Sequence, residues 1–202
     1  SSGQVLHCPY EFDKARLVVK EMIDLMALDL VDKGLVTNQI VLTIGYDIDN
    51  LTDPKRRNAY HGEVTIDRYG RRVPKHAHGT INLKNQTSST KQIMDAVMEL
   101  YDRIVNPNLL IRRIYVVACR LSDESSAKQE DTFEQLDLFT DYAALEQKKQ
   151  AEKVKKEKER KLQEAVLSVK KKYGKNAMLK GMNLQEGATS VERNRQIGGH
   201  KA

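Results

Sequence analysis

Along the first 120 residues the spacing of apolar side chains switches between a helical and a strand period, and that succession restricts the chain to very few folds. Over residues 11–33, Phe12, Ala15, Val19, Met22, Ile23, Met26 and Leu30 return every three or four positions, which predicts an amphipathic helix; Gly34 then stops it. Before it, residues 4–8 predict a short strand closed by Pro9. After it, Ile40, Leu42, Ile44 and Tyr46 alternate with Val41, Thr43 and Gly45, the pattern of a strand with one face on a core. Residues 47–60 break the alternation with Asp, Asn, Pro54 and the run Lys55-Arg56-Arg57, and residues 62–68 resume it through Val64 and Ile66. Tyr69-Gly70-Arg71-Arg72 predicts a basic turn. A strand over residues 73–83 then sets Ala77, Gly79, Ile81 and Leu83 against His76, His78, Thr80 and Asn82.

A second helix begins near Ser89, where Ser89-x-x-Gln92 has capping-box spacing, and carries the stripe Ile93, Val97, Leu100 and Ile104 before Pro107. Residues 111–120 close the series as a strand, with Ile114, Val116 and Ala118 opposite Arg113, Tyr115 and Val117. The order β-α-β-β-α-β predicts an α+β domain: an antiparallel or mixed sheet of four to five strands, two helices on one face and the other face free. On that free face and its loops belong Lys55, Arg56, Arg57, Arg68, Arg71, Arg72, Lys75, His76, His78, Lys84 and Arg113. Basic side chains at strand edges and turns suit phosphate contact, which positions a protein on nucleic acid without reading its sequence; ordinary solvated charge is the plainer reading.

The 202 residues suffice for one good core and an extension, and the net charge of +6 favours a polyanionic partner. No apolar run is long enough to span a bilayer and no signal peptide opens the chain, so a cytoplasmic protein is expected. Cys8 and Cys119 have no metal-site spacing and lie among apolar neighbours; both are expected to be buried thiols.

Beyond residue 121 the composition changes. Residues 122–131 form an acidic stretch expected to be disordered, leading into Gln135-Leu136-Asp137-Leu138-Phe139, whose aliphatic and aromatic side chains have no local core. Burying each of them in a partner's pocket would contribute about 1.5–3 kcal/mol. The residues alone leave two readings open: a segment held by a partner, or an amphipathic turn folded back on the domain. From Tyr142 to Tyr173 there is no Gly or Pro, so a long helix is expected; residues 143–175 carry 12 Lys and Arg against 5 Glu, and the apolar stripe is thin, Leu162, Val166, Val169 and Tyr173. A solvated helix is the plainer reading, and a basic arm that rides along duplex DNA or docks a partner the sharper one. Gly, Asn and Ser after Gly174 point to a flexible or partner-ordered tail. Four regions result: 1–121, a DNA-binding domain; 122–141, a linker with the partner motif; 142–174, the basic helix; 175–202, the tail.

Two resemblances sharpen this. The pentapeptide Gln135–Phe139 resembles the clamp-binding motif of bacterial polymerases and repair proteins, Gln-Leu-[Ser/Asp]-Leu-Phe, which implies Gln135 as polar reader, Leu138 and Phe139 as apolar anchors, and the bacterial sliding clamp as partner. Gly3-Gln4-Val5-Leu6 with Pro9-Tyr10, Ile44-Gly45-Tyr46, Gly79-Thr80-Ile81-Asn82-Leu83 with Thr87, and Ile111-Arg112-Arg113-Ile114 resemble, in that order, the little finger domain of Y-family lesion-bypass DNA polymerases. The likeness is nearest to Gram-positive polymerase IV and polymerase V-like UV-damage repair proteins, whose tails Gly174-Lys175-Asn176-Ala177 and Arg193-Asn194-Arg195-Gln196-Ile197-Gly198-Gly199-His200 also resemble. The resemblance implies a module that grips primer-template duplex behind an active site during translesion synthesis in the SOS response to damaged DNA. Polymerase chemistry would sit in palm and fingers domains of a parent protein using Mg, because Asp47, Asp49 and Asp53 match no part of the palm pattern; no catalytic residue and no cofactor is expected in this chain. The polar connection 47–75 departs from the family pattern by adding a hairpin and basic turns.

Three other readings compete. His61, His76 and His78 could suggest a metal site, but no acidic or Cys ligand supports them at suitable spacing. A free-standing clamp-binding adaptor without DNA binding is the main alternative. An RNA-binding sheet would need exposed aromatics on central strands, and 5% aromatic content offers no such pair.

Overall fold

A computed structural model describes residues 1–127, 142–197 and 200–201. Its elements follow the periodicities: β1 (Ser2–Tyr10), α1 (Phe12–Asp32), β2 (Leu35–Tyr46), the short α2 (Asp49–Thr52) and α3 (Pro54–Ala59), β3 (Val64–Ile66), β4 (Arg72–Pro74), β5 (Ala77–Thr87), α4 (Thr90–Ile104), β6 (Ile111–Cys119), β7 (Ser122–Asp123), α5 (Glu124–Ala127) and α6 (Tyr142–Tyr173). A 3-10 turn (Gly181–Leu184), α7 (Ser190–Arg193), β8 (Gln196–Ile197) and β9 (His200–Lys201) complete it. The fold is α+β. Its five-stranded antiparallel sheet runs β1-β6-β2-β5, with β7 added at the start of β2.

Local chemistry sets the boundaries. Gly34, at φ +64, takes the left-handed conformation that ends α1. Ser89 Oγ accepts from the Gln92 N–H and starts α4. The side chain of Asp53 accepts from the N–H groups of Lys55 and Arg56 and, with Pro54 in the first turn, starts α3 in a stretch expected to be irregular. Alternating residues then meet across one interface: Leu6, Ile40, Leu42, Ile44, Ile114 and Val116 of the sheet are fully buried against Val19, Met22, Ile23, Ile93, Val97 and Leu100 of α1 and α4. Gly79 lets α4 close on β5, since a Cβ there would come 2.9 Å from Leu100 Cδ1. Arg16 Nε and Nη2 donate to the Asp102 carboxylate at 2.8 Å and tie the two helices together. The Tyr101 hydroxyl donates to the Phe12 carbonyl, and burial pushes its pKa far above the ordinary value.

Several expectations need correction. The hairpin expected in the 47–75 connection is present as β3 and β4, which among the described residues pair with each other apart from the main sheet, but the strand expected over 73–83 divides there, with the Lys75 N–H donating to the Glu63 carbonyl. Cys119 is only partly covered, and Cys8 is exposed because the pairing of β1 with β6 is irregular between Val5 and Tyr10 and Cys8 loses the inward parity of Leu6. The acidic stretch begins in order: β7 pairs with Leu35 and Val36, and Glu124 meets Arg160 at 2.9 Å.

The plainer reading of α6 as wholly solvated also fails. Gln163, 6% exposed, donates to the Ser88 carbonyl and Thr90 Oγ1, while the Glu159 carboxylate accepts from Ser89 Oγ and the Lys91 N–H. This half of α6 therefore serves as a cap for the start of α4. The tail, expected to be flexible, crosses α1 instead. Glu21, 2% exposed, accepts from Asn183 Nδ2, Thr189 N and Oγ1 and Ser190 N, flanked by the ion pairs Lys14–Glu186 and Lys180–Asp24. Arg193 ends the crossing on Ser2 Oγ and Gln4 Oε1, where burial lowers its pKa.

Candidate nucleic-acid interface

With α1, α4, α6 and the tail on one side, the other face of the sheet is left to Val5, Thr43, His78, Thr80, Asn82, Arg113, Tyr115 and their neighbours. Register arranges them in rows across the strands: Gly3, Tyr115, Thr43 and His78 in one, Val117, Val41 and Thr80 in the next. Thr43 Oγ1 and His78 Nδ1 hydrogen-bond at 2.8 Å, and Gln39 Nε2 donates to Asn82 Oδ1 at 2.8 Å. The surface is polar, shallow and short of carboxylates. Tyr115, on a central strand and 45% exposed, lies over Gly3, where a Cβ would come 2.8 Å from its ring; the sequence reading placed it on this face but not among the contact residues.

At one end of this face the β3–β4 hairpin arches over the sheet and encloses a cleft of about 570 Å³. Its floor is Val5, Gly45 and Arg113, its roof Ile66, Asp67, Arg68, Arg71 and Val73, and its side Asp47, Asp49, His76 and Arg112. The side wall is anchored by Asn50, fully buried, which donates to the carbonyls of Asp47 and Leu110 and accepts from the Leu110 N–H. The hairpin turn is locked by Asp67, which accepts from the N–H groups of Tyr69 and Arg71 and from the Arg71 guanidinium. That guanidinium, with the two backbone N–H groups, holds the Asp67 pKa down to about 2.

Around Tyr69 three guanidinium groups converge: Arg68 at 4.7 Å, Arg71 at 5.1 Å and Arg113 at 5.7 Å from the ring centroid. Arg71 has Asp67; Arg68 and Arg113 have no carboxylate partner among the described residues. The structure thus brings Arg68, Arg71, His76 and Arg113 into one cleft and adds Arg112, 3.7 Å from Asp47, which the sequence reading left out of the site. Arg72, His78 and Lys84 are exposed on β4 and β5, and Lys75 pairs with Glu63 at 2.7 Å. Lys55 and Arg56 do not join the cleft: they border a separate hollow with Tyr60, Asn106 and Leu109, and Arg57 is exposed beside them on α3. Tyr69 was missed as well. Its signal was present, an aromatic residue inside the basic run Arg68–Arg72.

His76 and His78 stand 6.3 Å apart, and among the described residues no three His, Cys, Asp or Glu come together as metal ligands. No helix among the described residues is long and apolar enough to cross a membrane. The motif Gln135, Leu136, Asp137, Leu138 and Phe139 lies outside the described residues. In comparison with known families, residues 6–138 match the impB/mucB/samB family C-terminal domain. No curated protein matches the chain.

Proposed function

Because the chain belongs to the impB/mucB/samB family and carries its C-terminal domain, we propose that it is the non-catalytic module with which a Y-family translesion DNA polymerase grips primer-template duplex. The observation that carries this reading is the open sheet face, polar and, among the described residues, free of helices, bordered by Arg72, His78, Lys84 and Arg113. Exposed strands offer side chains to phosphates, and the charges there form a grip that is independent of base sequence. Palm and fingers domains of the parent protein would hold Mg and perform the chemistry. Two of the acidic groups by the cleft are already engaged, Asp67 by Arg71 and Asp47 by the Asp49 N–H and Arg112.

Gln135, Leu138 and Phe139 would tether the polymerase to the sliding clamp, with Leu136 and Asp137 completing the motif; this part rests on the pentapeptide alone. The setting would be DNA damage repair in the cytoplasm, as in the Gram-positive enzymes the sequence resembles. A clamp-binding adaptor that never touches DNA is the other reading.

Two titrations decide between them. Blunt duplex should bind weakly, with a log–log salt dependence that falls by about 0.9 for each phosphate-contacting cation removed, as in Lys84→Ala. Calorimetry against the clamp should give binding that is lost in the Leu138→Ala/Phe139→Ala variant while duplex binding persists. Clamp binding without any duplex binding would establish the adaptor instead.

A further inference from the structure

The cleft under the hairpin differs from the open sheet in size and chemistry. At about 570 Å³ it has the capacity of a small-molecule pocket, about 300–1,000 Å³, and admits no duplex. Its lining alternates two kinds of group: guanidinium groups short of anions, Arg68 and Arg113, and apolar ones, Ile66 and Val73; the Tyr69 ring stands beside that lining, against Arg68, Arg71 and Arg113. Tyr69 is 59% exposed and Ile66 73% exposed, so the hairpin holds out apolar surface that no core covers. Cations crowded around one ring repel each other, and a phosphodiester between Arg68 and Arg113 would relieve that repulsion. A phosphate alone leaves the exposed part of the ring and the isoleucine uncovered. A base face would cover them, but a duplex keeps its base faces inside the stack; only an unpaired nucleotide offers phosphate and base face together.

We propose that the cleft between the β3–β4 hairpin and the sheet holds an unpaired polynucleotide strand, with Arg68 and Arg113 on the phosphate and the exposed Tyr69 ring, beside the cleft lining, as the stacking platform for a base that emerges from it. The inference rests on the reading of the sheet as a nucleic-acid surface and gives that surface a second, single-stranded compartment. Asp49 in the side wall repels a phosphate and so favours the arginine side of the cleft.

The test is fluorescence anisotropy of the full chain with a blunt duplex and with the same duplex carrying a short thymidine extension on one strand or the other. One of the extended duplexes should bind on the order of tenfold more tightly than the blunt one. Tyr69→Ala should remove that gain and leave blunt-duplex binding unchanged; Tyr69→Phe should retain it. A 5-iodouracil in the extension should photocrosslink to Tyr69. Equal binding of blunt and extended duplexes, a gain that survives Tyr69→Ala, or crosslinking to Tyr115 instead would overturn the proposal. Binding of extended duplex with none of blunt duplex would support the cleft while removing the duplex grip, and no binding to any probe would remove both.

Discussion

On the helix side of the sheet, the carboxylate of Glu21 is 2% exposed and accepts from Asn183, Thr189 and Ser190. On the open side, the guanidinium groups of Arg68 and Arg113 meet an exposed tyrosine ring and no carboxylate among the described residues. Both places concentrate charge; they differ in whether the chain supplies the counterpart. Burying a charge is tolerable only when hydrogen bonds replace its water, and the tail provides those to Glu21. Charges left in water cost little and stay available, which is the condition of a surface that meets something else. The contrast separates a closed, structural polar site from an open one within a single domain.

The contrast can be broken most directly at Glu21. Glu21→Ala would strand the buried N–H groups of Thr189 and Ser190 and should lower the unfolding free energy by about 3 kcal/mol in urea titration. It should also expose residues 175–197 to limited proteolysis, and Glu21→Gln, which keeps an acceptor, should lose less. An unchanged midpoint would mean that the carboxylate does not hold the tail. Next in size is Gln163→Ala, which removes two hydrogen bonds from the docking of α6 on α4 and should cost about 1–2 kcal/mol by the same measurement.

The smallest effect belongs to the open side. Asp67 in the folded chain lies below its ordinary value, so its hold on the turn is complete above about pH 4 and is lost as the pH falls toward about 2. Ring resonances of Tyr69 followed by NMR should therefore stay constant down to pH 4 and shift below it, while those of the buried Tyr101 do not move in the same range.

The helices and strands of the domain were legible because each period recurs within one element: the alternation through Ile40, Leu42 and Ile44 and the stripe Ile93, Val97 and Leu100 needed no distant partner. The capping of α4 by Ser89 was legible for the same reason. Cys8 was not, because the irregular pairing of β1 that turns it outward depends on β6. Of the basic residues named from sequence, Arg68, Arg71, His76 and Arg113 converge, whereas Lys55 and Arg56 border another hollow because Asp53 winds them into α3.

Glu21 shows the limit most sharply. In sequence it follows Lys20 as one more charged residue of an amphipathic helix; in the fold it is a core acceptor, because residues 183–190 return to it across the chain. The amino-acid sequence by itself determined the α+β order, the covered and open faces of the sheet, and the basic character of the open side, since all of these follow from spacing within single elements. Tertiary structure alone decided that the tail and α6 dock, that the hairpin leaves the sheet, and that Arg68, Arg71 and Arg113 surround Tyr69. Those outcomes depend on contacts between elements far apart in the chain, whose side chains carry no mark of the partner they will meet.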